Sequence, residues 1–77
     1  MNNATSDVMI HTGSLLTNDE FNTIASEVFE LGGIVKFTRN RIVPNLIMVV
    51  YNSAQTKALT ILNKMTRMGY NASLVGI

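Results

Sequence analysis

An α+β sandwich, in which four antiparallel strands carry two helices on one face, is the fold predicted by the sequence. Three observations predict it. Four short apolar or alternating stretches, at residues 7–12, 34–38, 46–51 and 72–77, have the length and pattern of strands. Two longer stretches, 18–31 and 52–68, space their apolar residues at helical intervals. The order strand, helix, strand, strand, helix, strand, closed by right-handed crossovers, puts both helices on one side of a single sheet. This βαββαβ order defines the ferredoxin-like sandwich, a fold that serves many unrelated activities.

The first strand places Val8 and Ile10 on one face and Asp7, Met9 and His11 on the other. Gly13-Ser14 breaks it, and a helix start follows. Thr17 can cap the amide three residues on, Glu20 can reach back to the Thr17 amide, and Leu16 and Phe21 stand where a hydrophobic staple clamps. Asp19 and Glu20 add negative charge where the helix dipole favours it. Phe21, Ile24, Ala25, Val28 and Leu31 form the buried face of this helix, and Gly32-Gly33 ends it.

The second strand, 34–38, and the nearly unbroken apolar third, 46–51, flank a connection that is long for a hairpin. Strand is expected to extend into Ile42-Val43, with a bulge or an edge at Pro44. Asn52, with Gln55 three residues on, is the expected cap of the second helix. Ala54, Ala58, Ile61, Met65 and Met68 mark its buried face, widened by Leu59 and Leu62. Lys64 and Arg67 suit its last turns, Gly69 ends it, and residues 72–77 complete the sheet.

The 77 residues provide one domain, 7–77, preceded by a polar stretch, 1–6, expected to be flexible. With 47% hydrophobic and 14% charged residues, the chain is built to form a core. A net charge of +1 gives no strong attraction to nucleic acid or an acidic membrane. The absence of cysteine excludes disulfides, thiolate metal sites and cysteine nucleophiles. The start has no basic-then-apolar leader pattern and no apolar run spans a bilayer, so a cytoplasmic location without direct membrane contact is expected. The chain stops abruptly at the end of a predicted strand, at Gly76-Ile77, as expected of a domain excised from a longer protein that could itself be membrane-bound.

Val49-Val50-Tyr51-Asn52, Ile61, Met65, Gly69-Tyr70-Asn71-Ala72 and the Gly13-to-Gly32 spacing resemble the heavy-metal-associated domain. That family comprises small copper, zinc or mercury carriers of metal chaperones and metal-pumping ATPases. The resemblance runs over roughly residues 8–75 and implies the same fold. It also implies a binding loop containing Gly13, Ser14 and Thr17, with Tyr70 as the aromatic beside it. The family's loop reads Gly-Met-Thr-Cys-x-x-Cys, and its two thiolates hold the metal. Counting from Gly13 to Gly32 puts Leu16 and Asp19 at the cysteine positions; counting back from Gly33 puts Thr17 and Glu20 there, the register favoured by the cap and staple. Neither supplies sulfur, so Cu(I) binding is expected to be lost.

The residues themselves offer other chemistry. His11 with Asp19 or Glu20 is an alternative site for a harder divalent ion such as Zn(II) or Co(II). Zinc wants three or four protein ligands, however, and Asp19 and Glu20 point about 100° apart on a helix, so a cap beside an exposed histidine is the expectation and no cofactor is assigned. Met9, Met48, Met65 and Met68 read as core filler rather than a thioether site. The RNA-recognition motif shares the element order, and Lys36, Arg39 and Arg41 make a basic hairpin. The first and third strands lack the aromatics on which that module stacks bases, so nucleic acid is not expected. Leu31-Gly32-Gly33-Ile34 resembles the helix end of the amino-acid-binding ACT domain, a further, regulatory alternative. No nucleophile, base and orienting group can be assembled, so no enzyme is expected.

Interaction remains. Asp19, Glu20, Glu27 and Glu30 lie on the first helix, and all the bases lie between Lys36 and Arg67. Such separated charge suits docking to a neighbouring domain or protein. The third strand is also more apolar than one wet face needs, so the outer sheet face is expected to be covered by another domain or by a second copy as a homodimer. The sequence thus points to a heavy-metal-associated-like module without its thiolates, docking or regulating within a metal-transport-related protein.

Overall fold

The computed structural model describes residues 4–75. Its elements follow in the expected order: β1 (Thr5–Thr12), α1 (Asn18–Phe29), β2 (Ile34–Arg39), β3 (Leu46–Asn52), α2 (Ala58–Arg67) and β4 (Ala72–Val75). The strands form one antiparallel sheet in the order β2-β3-β1-β4. This is the ferredoxin-like sandwich.

Alternation along the central strands divides the sheet into two faces. Val8, Ile10 and Thr12 of β1 and Ile47, Val49 and Tyr51 of β3 point inward and are buried. The helices cover that face with Ile24, Val28, Ile61 and Met65, all fully buried, while Leu16 and Phe37 close one core with them. Removing such apolar surface from water contributes about 25 cal/mol per Å² and is the main force holding helices to sheet. A single ion pair, Lys64 to Glu27 at 3.1 Å, ties α2 to α1 among the described residues. Both partners are about one-third exposed, so it adds little.

Helix α1 starts and stops as its residues dictate. The capping box is complete, Gly32 and Gly33 follow at φ +82° and +79°, and Leu31 folds back onto the core. A side chain on Gly33 would meet the Gln55 Cβ at 2.8 Å, so glycine is required there for space as well as for conformation.

Four local expectations are corrected. β1 begins at Thr5, because Thr5 and Ser6 pair with Asn52 and Tyr51; of the N-terminal stretch expected to be flexible, residues 1–3 lie outside the described residues, as do Gly76 and Ile77 of the expected last strand. α2 begins at Ala58 rather than after Asn52. The Asn52 side chain instead accepts from the Ala54 amide and its carbonyl from those of Gln55 and Thr56, which makes a turn, and Lys57 at the N-cap makes no side-chain cap bond. Leu59 is 62% exposed and lies off the buried face. Ile42 and Val43 are not strand: their amides both bond the Asn40 side chain at 2.8 Å in an exposed turn, and the bulge falls between Ile34 and Lys36.

Candidate functional site

Three connections meet at one end of the sandwich: β1 to α1, β2 to β3, and α2 to β4. The Gly13 amide donates to the Asn71 carbonyl at 2.8 Å, joining the first to the third. A Cβ on Gly13 would fall 2.8 Å from the Asn71 side-chain nitrogen, so the two loops touch closely. Thr12 and Asn45 join the first to the second. The Thr12 amide donates to the Asn45 carbonyl and the Asn45 side-chain amide to the Thr12 carbonyl, each at 2.9 Å. The buried Thr12 hydroxyl donates to the Ser14 carbonyl, also at 2.9 Å.

A shallow cleft of about 280 Å³ lies between Thr12, Ser14 and Glu20 on one side and Gly69, Tyr70 and Asn71 on the other. Gly13, Ser14, Thr17 and Tyr70, the loop residues implied by the resemblance, are therefore gathered at this end. Glu20 is the one carboxylate in the cleft, and it is engaged: its Oε1 accepts from the Thr17 amide at 2.8 Å. The Glu20 amide donates to the Thr17 hydroxyl at 3.1 Å.

Arg39 completes the end. Its guanidinium donates to the Leu16 carbonyl at 2.8 Å and to the Thr17 carbonyl at 3.3 Å, and lies 4.7 Å from the centre of the Phe21 ring. Phe21 in turn packs on Phe37 with ring centres 5.3 Å apart. A cation from the end of β2 thus clamps the turn at which the helix begins. Sequence reasoning placed Arg39 in a solvated basic hairpin. Its inward role was signalled only by its position at the strand end, level with the helix start.

The residues of the divalent-ion alternative occupy different settings. His11 lies on the outer face of the sheet, exposed, because it alternates with the inward Ile10 and Thr12. Asp19 is exposed in the first turn, and Glu20 serves the cap. No group of three or more His, Cys, Asp or Glu side chains that could hold a metal occurs among the described residues. The methionines divide: Met65 is fully buried and Met68 packs against the core, whereas Met9 and Met48 are half-buried on the outer face. Of the interaction charges, Glu27 is taken by Lys64 and Arg39 by the loop, while Lys36, Arg41 and Glu30 remain exposed.

This architecture recurs in solved structures, copper-binding and copper-transporter domains among them. Oxidized MerP from Ralstonia metallidurans CH34 matches with a TM-score of 0.79 at 17% identity, over 94% of this chain and 99% of that one. The N-terminal domain of a potential copper-translocating P-type ATPase from Bacillus subtilis, in its Cu(I)-loaded state, matches at 0.80 and 16%, over 91% and 86%. The yeast copper transporter domain CCC2A, solved in apo and Cu(I)-loaded states, matches at 0.77 and 20%, over 90% and 93%. The chain has the fold of heavy-metal-associated domains. At these identities the likeness is one of fold, and neither a protein-family model nor a curated protein sequence matches. Set against that fold, the chain carries no cysteine with which to build the family's dithiolate loop.

The two candidate registers for the missing pair differ in geometry. Leu16 is buried in the core and Asp19 faces solvent, so their side chains diverge. Thr17 and Glu20 are joined by two reciprocal hydrogen bonds, each from the backbone amide of one to the side chain of the other. No helix among the described residues is long and apolar enough to cross a membrane.

Proposed function

We propose that this chain is a non-enzymatic, heavy-metal-associated-like domain that has given up its thiolate site and serves as a docking or regulatory module of a metal-transport-related protein. The observation that carries this reading is the occupation of the loop end by the chain itself. The Glu20 carboxylate bonds the Thr17 amide, Arg39 bonds the Leu16 and Thr17 carbonyls, and Leu16 fills the core. Among the described residues the loop brings no group of three His, Cys, Asp or Glu side chains to an ion. Its fold neighbours include Cu(I)-loaded domains, which supports a setting in metal transport.

The loop end also carries the surface for docking. Leu15 is 61% and Ile42 90% exposed, and both project from connections held rigid by the bonds described above. Exposed apolar side chains on preorganised turns are suited to binding a neighbouring domain, because little ordering entropy remains to be lost.

An amide NMR titration with Zn(II), Co(II) and Cu(I) tests the first half. We expect no stoichiometric shifts. Saturable shifts at residues 11–20, abolished by His11→Ala or Glu20→Gln, would restore a metal-binding reading. The second half is tested by titrating the labelled chain with a Cu(I)-loaded domain of the same fold. Shifts at Leu15, Ile42 and Val43 are expected, and shifts elsewhere or none at all would count against docking through this end.

A further inference from the structure

The face of the sheet turned away from the helices carries a second surface. Across its centre, Met48 of β3 pairs with Met9 of β1, and Met9 with Val75 of β4. One row along, Val50 is flanked on its two sides by Asp7 of β1 and Lys36 of β2. Met9, Met48 and Val50 are half-buried by their neighbours alone, since both helices lie on the other face, and Val75 is 42% exposed. Lys36 and Asp7 sit two strand spacings apart, about 10 Å, and make no ion pair within the chain among the described residues.

We infer that this face binds a second copy of the chain about a two-fold axis parallel to the strands, between β3 and β1. The charges choose the occupant. A two-fold there lays β3 of one copy on β1 of the other, in the aligned packing that stacked sheets adopt. Met48 then meets Met9 of the second copy, and Val50 lies over its Asp7. Lys36, one strand further out at about 4.8 Å, is within reach of that Asp7 carboxylate with its long stem. Symmetry repeats both contacts. A patch bearing one charge of each sign on the two sides of Val50, next to an apolar row, is thus complementary to itself, which is the requirement of an isologous interface. Methionine at its centre adapts to such a contact without demanding an exact fit.

The face is small. Four strands about 4.8 Å apart and about six residues long at about 3.4 Å each give a patch near 19 by 20 Å. The accessible area buried falls below the roughly 1,200–2,000 Å² of stable complexes. The association is therefore weak and reversible. It uses the face remote from the loop end, so it stands or falls separately from the docking reading.

Sedimentation velocity from about 10 μM to about 1 mM, with the folded state of each variant checked by its amide spectrum, tests the inference. The wild-type chain should shift toward dimer over that range. Met48→Lys on this half-exposed position should leave the fold intact and weaken dimerisation at least tenfold. Asp7→Lys and Lys36→Asp should each weaken it about tenfold, and the double variant Asp7→Lys/Lys36→Asp should recover wild-type affinity to within about threefold. A wild-type chain that stays monomeric at about 1 mM would overturn the inference. So would a dimer indifferent to Met48→Lys, or a double charge reversal that fails to restore what either single reversal removed.

Discussion

Replacing Arg39 by methionine should loosen the end of the domain that carries the loop. The guanidinium makes one short charge-assisted bond to the part-buried Leu16 carbonyl and a longer one to the exposed Thr17 carbonyl. A hydrogen bond from a charged group contributes about 1.5–3 kcal/mol, and partial exposure places the first at the low end, about 1.5 kcal/mol. The second, at 3.3 Å and open to water, adds about 0.5 kcal/mol. The position over Phe21 adds about 0.5–1 kcal/mol. Methionine keeps the stem on the ring and returns about 0.5 kcal/mol through sulfur–aromatic contact. The net expected loss is about 2 kcal/mol. A change of that size raises the population of an opened loop about 30-fold, and lowers the melting temperature of a domain this small by about 8–16 °C. Urea unfolding followed by circular dichroism gives the free energy, and amide exchange at residues 13–17 gives the opening. Arg39→Lys should fall between, at about 1 kcal/mol, because an ammonium reaches one carbonyl and lacks the planar fork. A loss under about 0.5 kcal/mol for Arg39→Met, with unchanged exchange in the loop, would refute the clamp.

Three further outcomes follow from the geometry. Thr17→Ala removes one of the two reciprocal cap bonds and should destabilise by about 1 kcal/mol in the same urea assay, whereas Asn18→Ala beside it should be near neutral. Gly32→Ala and Gly33→Ala impose similar strain of roughly 1–2 kcal/mol at positive φ, but only the second meets the Gln55 Cβ, so thermal melts should rank Gly33→Ala as the more damaging. Thr17→Cys/Glu20→Cys should create a Cu(I) site detectable by competition with a colorimetric chelator. Leu16→Cys/Asp19→Cys should not, since it needs a core side chain to turn outward; the reverse ranking would move the register by one residue.

The periodicities carried most of the fold. Val8 and Ile10 against Met9 and His11, and Phe21 through Val28, each report the period of their element directly, because burial on one face repeats with backbone geometry. The helix start was legible for a related reason: Thr17 and Glu20 bond each other three residues apart, so their partners lie inside the local sequence. Asn52 misled because an amide side chain serves a helix cap and a turn equally well, and the choice was set by where β3 ends. Met48 was placed in the core because its strand is apolar throughout, and only the sheet's order shows that one face has no helix over it. The clamp by Arg39 was illegible for a different reason. Its partners are backbone carbonyls 22 and 23 residues away, and carbonyls leave no mark in a sequence.

The loop end is held by charges supplied from within the chain. A dithiolate loop at a helix start places two negative sulfurs near the positive end of the dipole and bridges them with a cation. Here the Thr17 peptide groups meet the same two signs of charge from within the chain. Its N–H is bonded by the Glu20 carboxylate, and its C=O by the Arg39 guanidinium. Both groups are covalently attached, so neither can be exchanged with a partner or stripped by a chelator. The turn is then held without a metal, and Leu15 beside it is exposed. A loop that has to be filled before it is ordered can report on metal. A loop held by its own arginine needs no such filling.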